Sequence, residues 1–520
     1  MAVRNRLFLL APIVLGLSIL YVFLSRGGTE PAGPVLPGRN NTALFITTEA
    51  SGLSNVHLAA TTSLLEKHPS VEIHFASFPK LRGKLDRISS AAGENTRPIQ
   101  FHELPGPDMT NAVLREWKNF DALISPPAFR GLKKTLRDYG VISTSWEPEE
   151  HLAIYNRLME IVEEVDPAII ILDAVFSPAG DLVANVNRRF TFLSPNTANE
   201  LFAMDQPWGA GFWKYPALAS GYPYPVPLNL VPSNIWLQIR MIVGLLTNPR
   251  IVAMQKYLTA RGVKNPIQPG FGVPGVPAII ATFPEANLPL EVIPDTTRFC
   301  GPVVAEAATV EEQDPELALW LKKGPTMMVN LGSLVQYSKE RASIMVEAIR
   351  IVLSSAENSQ VLWKFRKADD YGDEVFDPVR EYISNGRLKV ETWLNVDPIS
   401  LLQTGDIAVS VHHGGAGCFH EAIFAGVPQV ILPLWFDLYN AGRTVEYLGI
   451  GIWPGQEVTP DWEAESLAKG FLEALTGESS KSMQSKSRAL AATARKYGGR
   501  HAAANYIAQI AAQGQASVKA

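Results

Sequence analysis

His412 and His413 close a short apolar run, residues 406–411, and open onto Gly414, Gly415 and Gly417. The run is long enough for a buried parallel strand and too short for a helix. A helical pattern starts near Ala416 and stops at Gly426-Val427-Pro428. Strand, glycine turn and helix together aim unpaired backbone N–H groups at whatever lies above the sheet. The helix dipole adds a preference for negative charge. Glycines let the backbone approach a ligand closely. His413 ends the strand where open α/β sheets bind ligands, and its neighbour points to the other side. The chemistry implied is the holding of a nucleoside diphosphate.

The wider stretch, residues 393–451, resembles the C-terminal signature of the UDP-dependent glycosyltransferase family. Trp393, His413, Gly415, Glu421, Gly426-Val427-Pro428, Asp437 and Asn440 follow one another in the family's order, with Glu421 eight residues after His413. The resemblance implies a role for each. Trp393 offers a ring face to uracil, and His413 donates to the diphosphate, helped by backbone at Gly415 and Gly417. Ser333, in the Gly332-Ser333 turn, is a second phosphate contact. Glu421 accepts from ribose hydroxyls; Asp437, with Asn440 beyond it, bonds the transferred sugar. Three features depart from the pattern. Val396 and Leu438 stand where the family has glutamines, and Ala416-Gly417-Cys418 replaces a more polar triplet. The sugar is therefore left open, with glucose as the default.

An acceptor oxygen needs a base. The family places a histidine at the first strand-to-helix turn and holds it with an aspartate from a later strand. Asp173 stands where that aspartate would stand, but Leu53 occupies the histidine's position. His57 lies one helical turn later on the same face. It is the candidate base, against a purely structural histidine or another group such as Glu49.

These residues need a scaffold. The 520 residues exceed one core and suggest two domains plus extras. Hydrophobic content is 47%, charged residues 19%, and net charge −5, which argues against a nucleic-acid partner. Cys300 and Cys418 are too few for a disulfide framework or a cysteine zinc site. No metal and no cofactor beyond the UDP-sugar itself is expected. The Asp369-Asp370 and Asp373-Glu374 pairs read as a solvated loop.

Apolar runs at 43–48, 71–77, 168–172, 191–193, 277–283, 326–331, 360–366 and 388–392 predict strands. Helical patterns predict helices at 53–67, 108–120, 129–139, 148–165, 234–247 and 338–354, with Ala-rich helices from 461 to about 513. Such alternation predicts doubly wound parallel sheets. The expected class is α/β: two Rossmann-like domains facing across a cleft, the GT-B type the resemblance implies, preceded by an N-terminal transmembrane helix. The uncharged run 7–24, flanked by Arg4, Arg6 and Arg26, is read as that anchor; a cleavable signal is the alternative. Single-pass residence in the endoplasmic reticulum membrane, or secretion after cleavage, would follow. Expected boundaries are 1–26 anchor, 27–41 linker, 42–298 acceptor domain, 299–478 UDP-sugar domain, and 479–520 helices packing back on the first domain. The aromatic, proline-rich stretch 208–232 with the helix after it reads as acceptor pocket, core helix or membrane contact.

The expected reaction is inverting transfer of a sugar from a UDP-sugar to a hydroxyl or carboxyl oxygen of an apolar small molecule or lipid. Secondary metabolism is its expected setting. The alternatives are a non-catalytic UDP-sugar-binding subunit and a lipid-linked N-acetylglucosaminyltransferase.

Overall fold

A computed structural model describes residues 35–92, 96–267 and 277–515. Among them the strands form two parallel sheets. The first runs β3-β2-β1-β4-β5-β6-β7, from β1 (Arg39–Ile46), β2 (Glu72–Ser77), β3 (Gln100–Glu103), β4 (Pro167–Leu172), β5 (Phe190–Ser194), β6 (Ala278–Ile280) and β7 (Thr297–Phe299). The second runs β10-β9-β8-β11-β12-β13, from β8 (Thr326–Val329), β9 (Gln360–Lys364), β10 (Leu388–Glu391), β11 (Ile407–His412), β12 (Gln429–Ile431) and β13 (Gly451–Ile452).

The central strand β4 is buried at all six residues and wholly apolar, because helices cover both faces of its sheet. Successive side chains of β1 divide between those faces. Leu44 and Ile46 join the helix Pro148–Val165. Ala43 and Phe45 join the helices Ser51–Lys67 and Gly499–Ala511. Pro148–Val165 starts with a reciprocal cap between Glu147 and Glu150, which meets the free N–H groups of its first turn. In the second sheet β8 divides the same way, Met327 and Val329 toward the helix Lys339–Ser355 and Met328 toward Pro315–Leu321.

The domains meet along their carboxyl strand ends. Ser125 N–H donates to the Leu434 carbonyl at 3.0 Å, and Arg443 Nε to the Gly221 carbonyl at 2.7 Å. The chain crosses between domains twice, and the crossings touch: Gly499 N–H donates to the Cys300 carbonyl at 2.6 Å. After the second crossing, Gly499–Ala511 lies against Ser51–Lys67, and Gln515 exchanges backbone bonds with Gly38 and Asn40.

One part of the expected fold is corrected. Among the described residues no helix is long and apolar enough to cross a membrane, so the described fold is the two α/β domains alone. The run 7–24, and the location inferred from it, lie outside the described residues. The helix after the aromatic stretch, Val231–Leu246, buries Leu237 and Met241 but leaves Trp236 45% exposed against the Phe129 ring, so it is neither wholly core nor wholly surface.

Candidate active site

At the end of β11 the two histidines separate. His412 is buried, with Nε2 against Gln429 Oε1 at 2.9 Å, while Nδ1 accepts the Gly414 N–H at 3.1 Å. Both its ring nitrogens are therefore occupied. The thiol of Cys418 lies within 4.8 Å of both histidines' ligand atoms. The trio does not fit a metal while His412 keeps those bonds, and burial pushes the thiol up to about 12, so it stays protonated.

His413 faces the cleft. Its ring is gripped by two glycines: a Cβ on Gly332 would sit 2.5 Å from Cε1, and one on Gly415 2.6 Å from Nε2. Gly332 also has φ +81°, and Gly414 φ +99°, conformations that glycine adopts without steric penalty. His413 Nδ1 is buried without a partner. Burial above all, then the neighbouring His412 and Lys364, lowers the imidazole to about 3. It is thus neutral and offers one N–H. The helix Ala416–Ala425 begins beside it, with Gly415 as N-cap and no side chain closing its first turn. Its leading N–H groups remain available to an anion. Gly417 is exposed, with open space where a Cβ would be.

Cations border this cradle. Lys364 Nζ donates to the Gly332 carbonyl at 2.8 Å and stands 3.9 Å from the centre of the Trp393 ring. Burial lowers the amine to about 8. Arg366 donates to the carbonyl of the exposed Ser333 at 2.8 Å. Trp393 is 53% exposed despite that cation over its ring. Glu421 sits inside the same helix, raised to about 7 by burial first and by Asp397 second. Asp437 precedes the helix Leu438–Leu448 without a capping side-chain bond, and its Oδ1 is buried without a partner. Burial raises it to about 6 against the pull of its own backbone and of Trp435. Asn440, one turn on, makes no side-chain hydrogen bond among the described residues. Ser333, Trp393, His413, Gly415, Gly417, Glu421, Asp437 and Asn440 thus all lie on the second domain, on the loops that follow its strands and the helix turns those loops open.

On the first domain the two candidates part. Asp173, at the end of β4, accepts from the Thr47 hydroxyl at 2.7 Å and from the N–H groups of Val175 and Phe176 at 2.9 and 2.7 Å. Burial raises its pKa. Among the described residues no histidine bonds it. His57 lies between its helix and the sheet, fully buried, 6.2 Å from the Phe45 ring. Neither of its nitrogens is within hydrogen-bond geometry of a partner. Desolvation, only partly offset by the Leu193 backbone, lowers it to about 3. The structure therefore does not bring His57 to the cleft, where a base must touch the acceptor. Glu49 is committed elsewhere: its carboxylate accepts from Met109 and Thr110 N–H at 3.0 and 2.8 Å.

Glu200, after β5, accepts from the Thr197 hydroxyl at 3.1 Å. Burial, then the charge of Asp437, pushes it up to about 8. Tyr139, its ring 5.3 Å from Phe436, feels both carboxylates and is pushed well above the usual phenol range, chiefly by burial. Nothing near Glu200 in the sequence marks it.

Two facing α/β domains with an anion cradle on one of them define the nucleotide-sugar transferase class. Residues 389–493 match a family described as Erythromycin biosynthesis protein CIII-like, C-terminal domain. Over 437 residues the chain is 32% identical to "Glycosyltransferase sdnJ" of Sordaria araneosa, covering 80% of this chain and 83% of that one. Over 64 residues it is 50% identical to the 3-alpha-mycarosylerythronolide B desosaminyl transferase of Saccharopolyspora erythraea, 12% of this chain and 15% of that one. Among solved structures, the glycotransferase of kitacinnamycin aligns with a TM-score of 0.59 at 16% identity, over 91% of this chain and 99% of that one. A Polygonum tinctorium UDP-glucosyltransferase capable of glucosylating indoxyl aligns at 0.58 and 17%, over 93% and 99%. These two likenesses concern the fold. The chain belongs to the UDP-dependent glycosyltransferase family. It is an enzyme of the glycosyltransferase type.

Proposed function

We propose that the protein transfers the sugar of a UDP-sugar, with inversion at the anomeric carbon, to a hydroxyl or carboxyl oxygen of an apolar small molecule in secondary metabolism. Glucose is the default sugar. The observation that carries this reading is the His413 imidazole, held neutral between Gly332 and Gly415 beside an uncapped helix N-terminus. A fixed imidazole N–H and free backbone amides stabilise the charge that grows on a departing diphosphate.

Around that point, Ser333 borders the phosphates and Glu421 accepts from the ribose. The base stacks on the face of Trp393 away from Lys364, or displaces the amine toward the phosphates. The unpartnered Asp437 Oδ1 and the free amide of Asn440 receive sugar hydroxyls. No metal is assigned a part. The name of the bacterial relative, a 3-alpha-mycarosylerythronolide B desosaminyl transferase, supports a small-molecule acceptor.

Calorimetry with UDP, and turnover of UDP-glucose with an aromatic alcohol, test the reading. His413→Ala is expected to weaken UDP binding and to lower kcat by about a hundredfold or more, the effect of losing one oxyanion donor. Wild-type protein that binds no UDP, or a His413→Ala variant equal to wild type, overturns it.

A further inference from the structure

Three neighbouring strands of the second sheet, β9, β8 and β11, end level with one another: Val329 pairs with Trp363 on one side and with Val411 on the other. The residue after Trp363 is Lys364, only 8% exposed. We propose that Lys364 is a ligand of the nucleotide's diphosphate, its ammonium standing between the Trp393 ring and the glycine grip on His413. This rests on the transfer reading above and adds to that site a charge that none of its motif residues supplies.

Two distances fix the amine. Nζ donates to the Gly332 carbonyl at 2.8 Å and lies 3.9 Å from the centre of the Trp393 ring. Gly332 is also the residue whose notional Cβ would meet His413 Cε1 at 2.5 Å. One glycine therefore touches both the lysine and the imidazole. At the imidazole, Nδ1 is buried without a partner, and the helix Ala416–Ala425 opens with no side chain on its first N–H groups. At the indole, the ring is half exposed and open to a base. A nucleotide with its base on that ring and its phosphates against His413 passes Nζ on the way.

The charge balance points the same way. A buried cation is costly unless negative charge and acceptors meet it. An ammonium carries three donors. Here one carbonyl and one ring face answer them, and among the described residues no carboxylate pairs with it. Its titratable neighbours are Cys418, Arg366 and His413. The first is a protonated thiol, the second another cation bonded to the Ser333 carbonyl, and the third a neutral ring. None of them brings negative charge. Burial accordingly lowers the amine to about 8, as expected of a cation whose counter-charge is not part of the chain. A diphosphate supplies that charge, together with oxygens for the remaining N–H groups. The Ala416-Gly417-Cys418 turn offers no charged or amide side chain for the task, and Lys364 fills that gap from the neighbouring strand end.

Calorimetry with UDP and with uridine, on wild type and Lys364→Met, tests the assignment. Uridine keeps the base and the ribose and lacks the phosphates. The methionine variant is expected to bind UDP about ten- to a hundredfold more weakly, the effect of losing one charge-assisted hydrogen bond, and uridine within about threefold of wild type. A variant that binds UDP within about threefold of wild type overturns the assignment. So does an equal loss on both ligands, because the side chain then only props the Trp393 ring and the Gly332 turn. If the methionine variant melts early, the UDP-to-uridine affinity ratio of Lys364→Gln makes the same distinction, since a defect common to both ligands cancels in the ratio. Wild type that binds no UDP defeats the transfer reading itself; wild type that binds UDP, alongside an unaffected variant, defeats only the role of Lys364.

Discussion

Two imidazoles in this molecule share a chemical state and differ in surroundings. His57 and His413 are both held neutral near a pKa of about 3, with burial the leading cause. His413 has a cleft before it, whereas His57 has the underside of a sheet. For His57 the consequence is stability rather than catalysis. Its folded pKa is depressed, so between about pH 3 and 6.5 the unfolded chain binds the proton that the folded one refuses. Stability from this group is therefore full at neutral pH and is lost as pH falls through that window. Replacing His57 with Leu removes the effect. The variant should gain on wild type as pH drops from 7 to 5, by about 2 kcal/mol at pH 5, in paired chemical-denaturation curves. Equal curves at both pH values would show that the ring is not shut off from water. Among residues, the cluster on the second domain was legible because chemically different side chains kept a fixed spacing over a short stretch. The acceptor side was not: the sequence offers His57 by proximity to Leu53, and only the fold shows that ring buried under the sheet.

At the scale of elements, the interior strands were readable and the margins were not. β1, β4, β8 and β11 are apolar runs because helices cover them on both faces. The edge strands β3 and β13 are short, and β3 carries Gln, His and Glu in its four residues, so no period distinguishes it from loop. The helices Arg82–Ala91 and Pro249–Thr259 were likewise hidden, the first being mostly polar with only Leu85 buried. The two turns that grip His413 belong to different strands, β8 and β11, and only glycine fits both. Gly415→Ala would press a methyl onto the imidazole at 2.6 Å. The variant should weaken UDP binding about tenfold or more while costing about 1–3 kcal/mol in a thermal melt. Gly417→Ala meets nothing within 4 Å and should leave the melt unchanged. Equal effects of the two substitutions would contradict the close grip on the ring.

The whole molecule is two sheets joined by two crossings, and those crossings run side by side. Gly301 (φ +73°) lies 2.9 Å, by its notional Cβ, from the Ala494 carbonyl and 3.0 Å from Tyr497 Cβ. Gly498 and Gly499 on the second crossing also have positive φ, 86° and 54°. Gly301→Val should lower the melting temperature, with a cost of about 1–3 kcal/mol for the clash and the strained backbone. It should also slow turnover more than it weakens UDP binding, seen as a lower steady-state rate after an unchanged first turnover. A gate whose two pins sit close together can swing about the line through them but can scarcely slide or shear. Rotation about that seam is the domain motion the paired crossings oppose least, and the glycines that line it lie far from the bond being made.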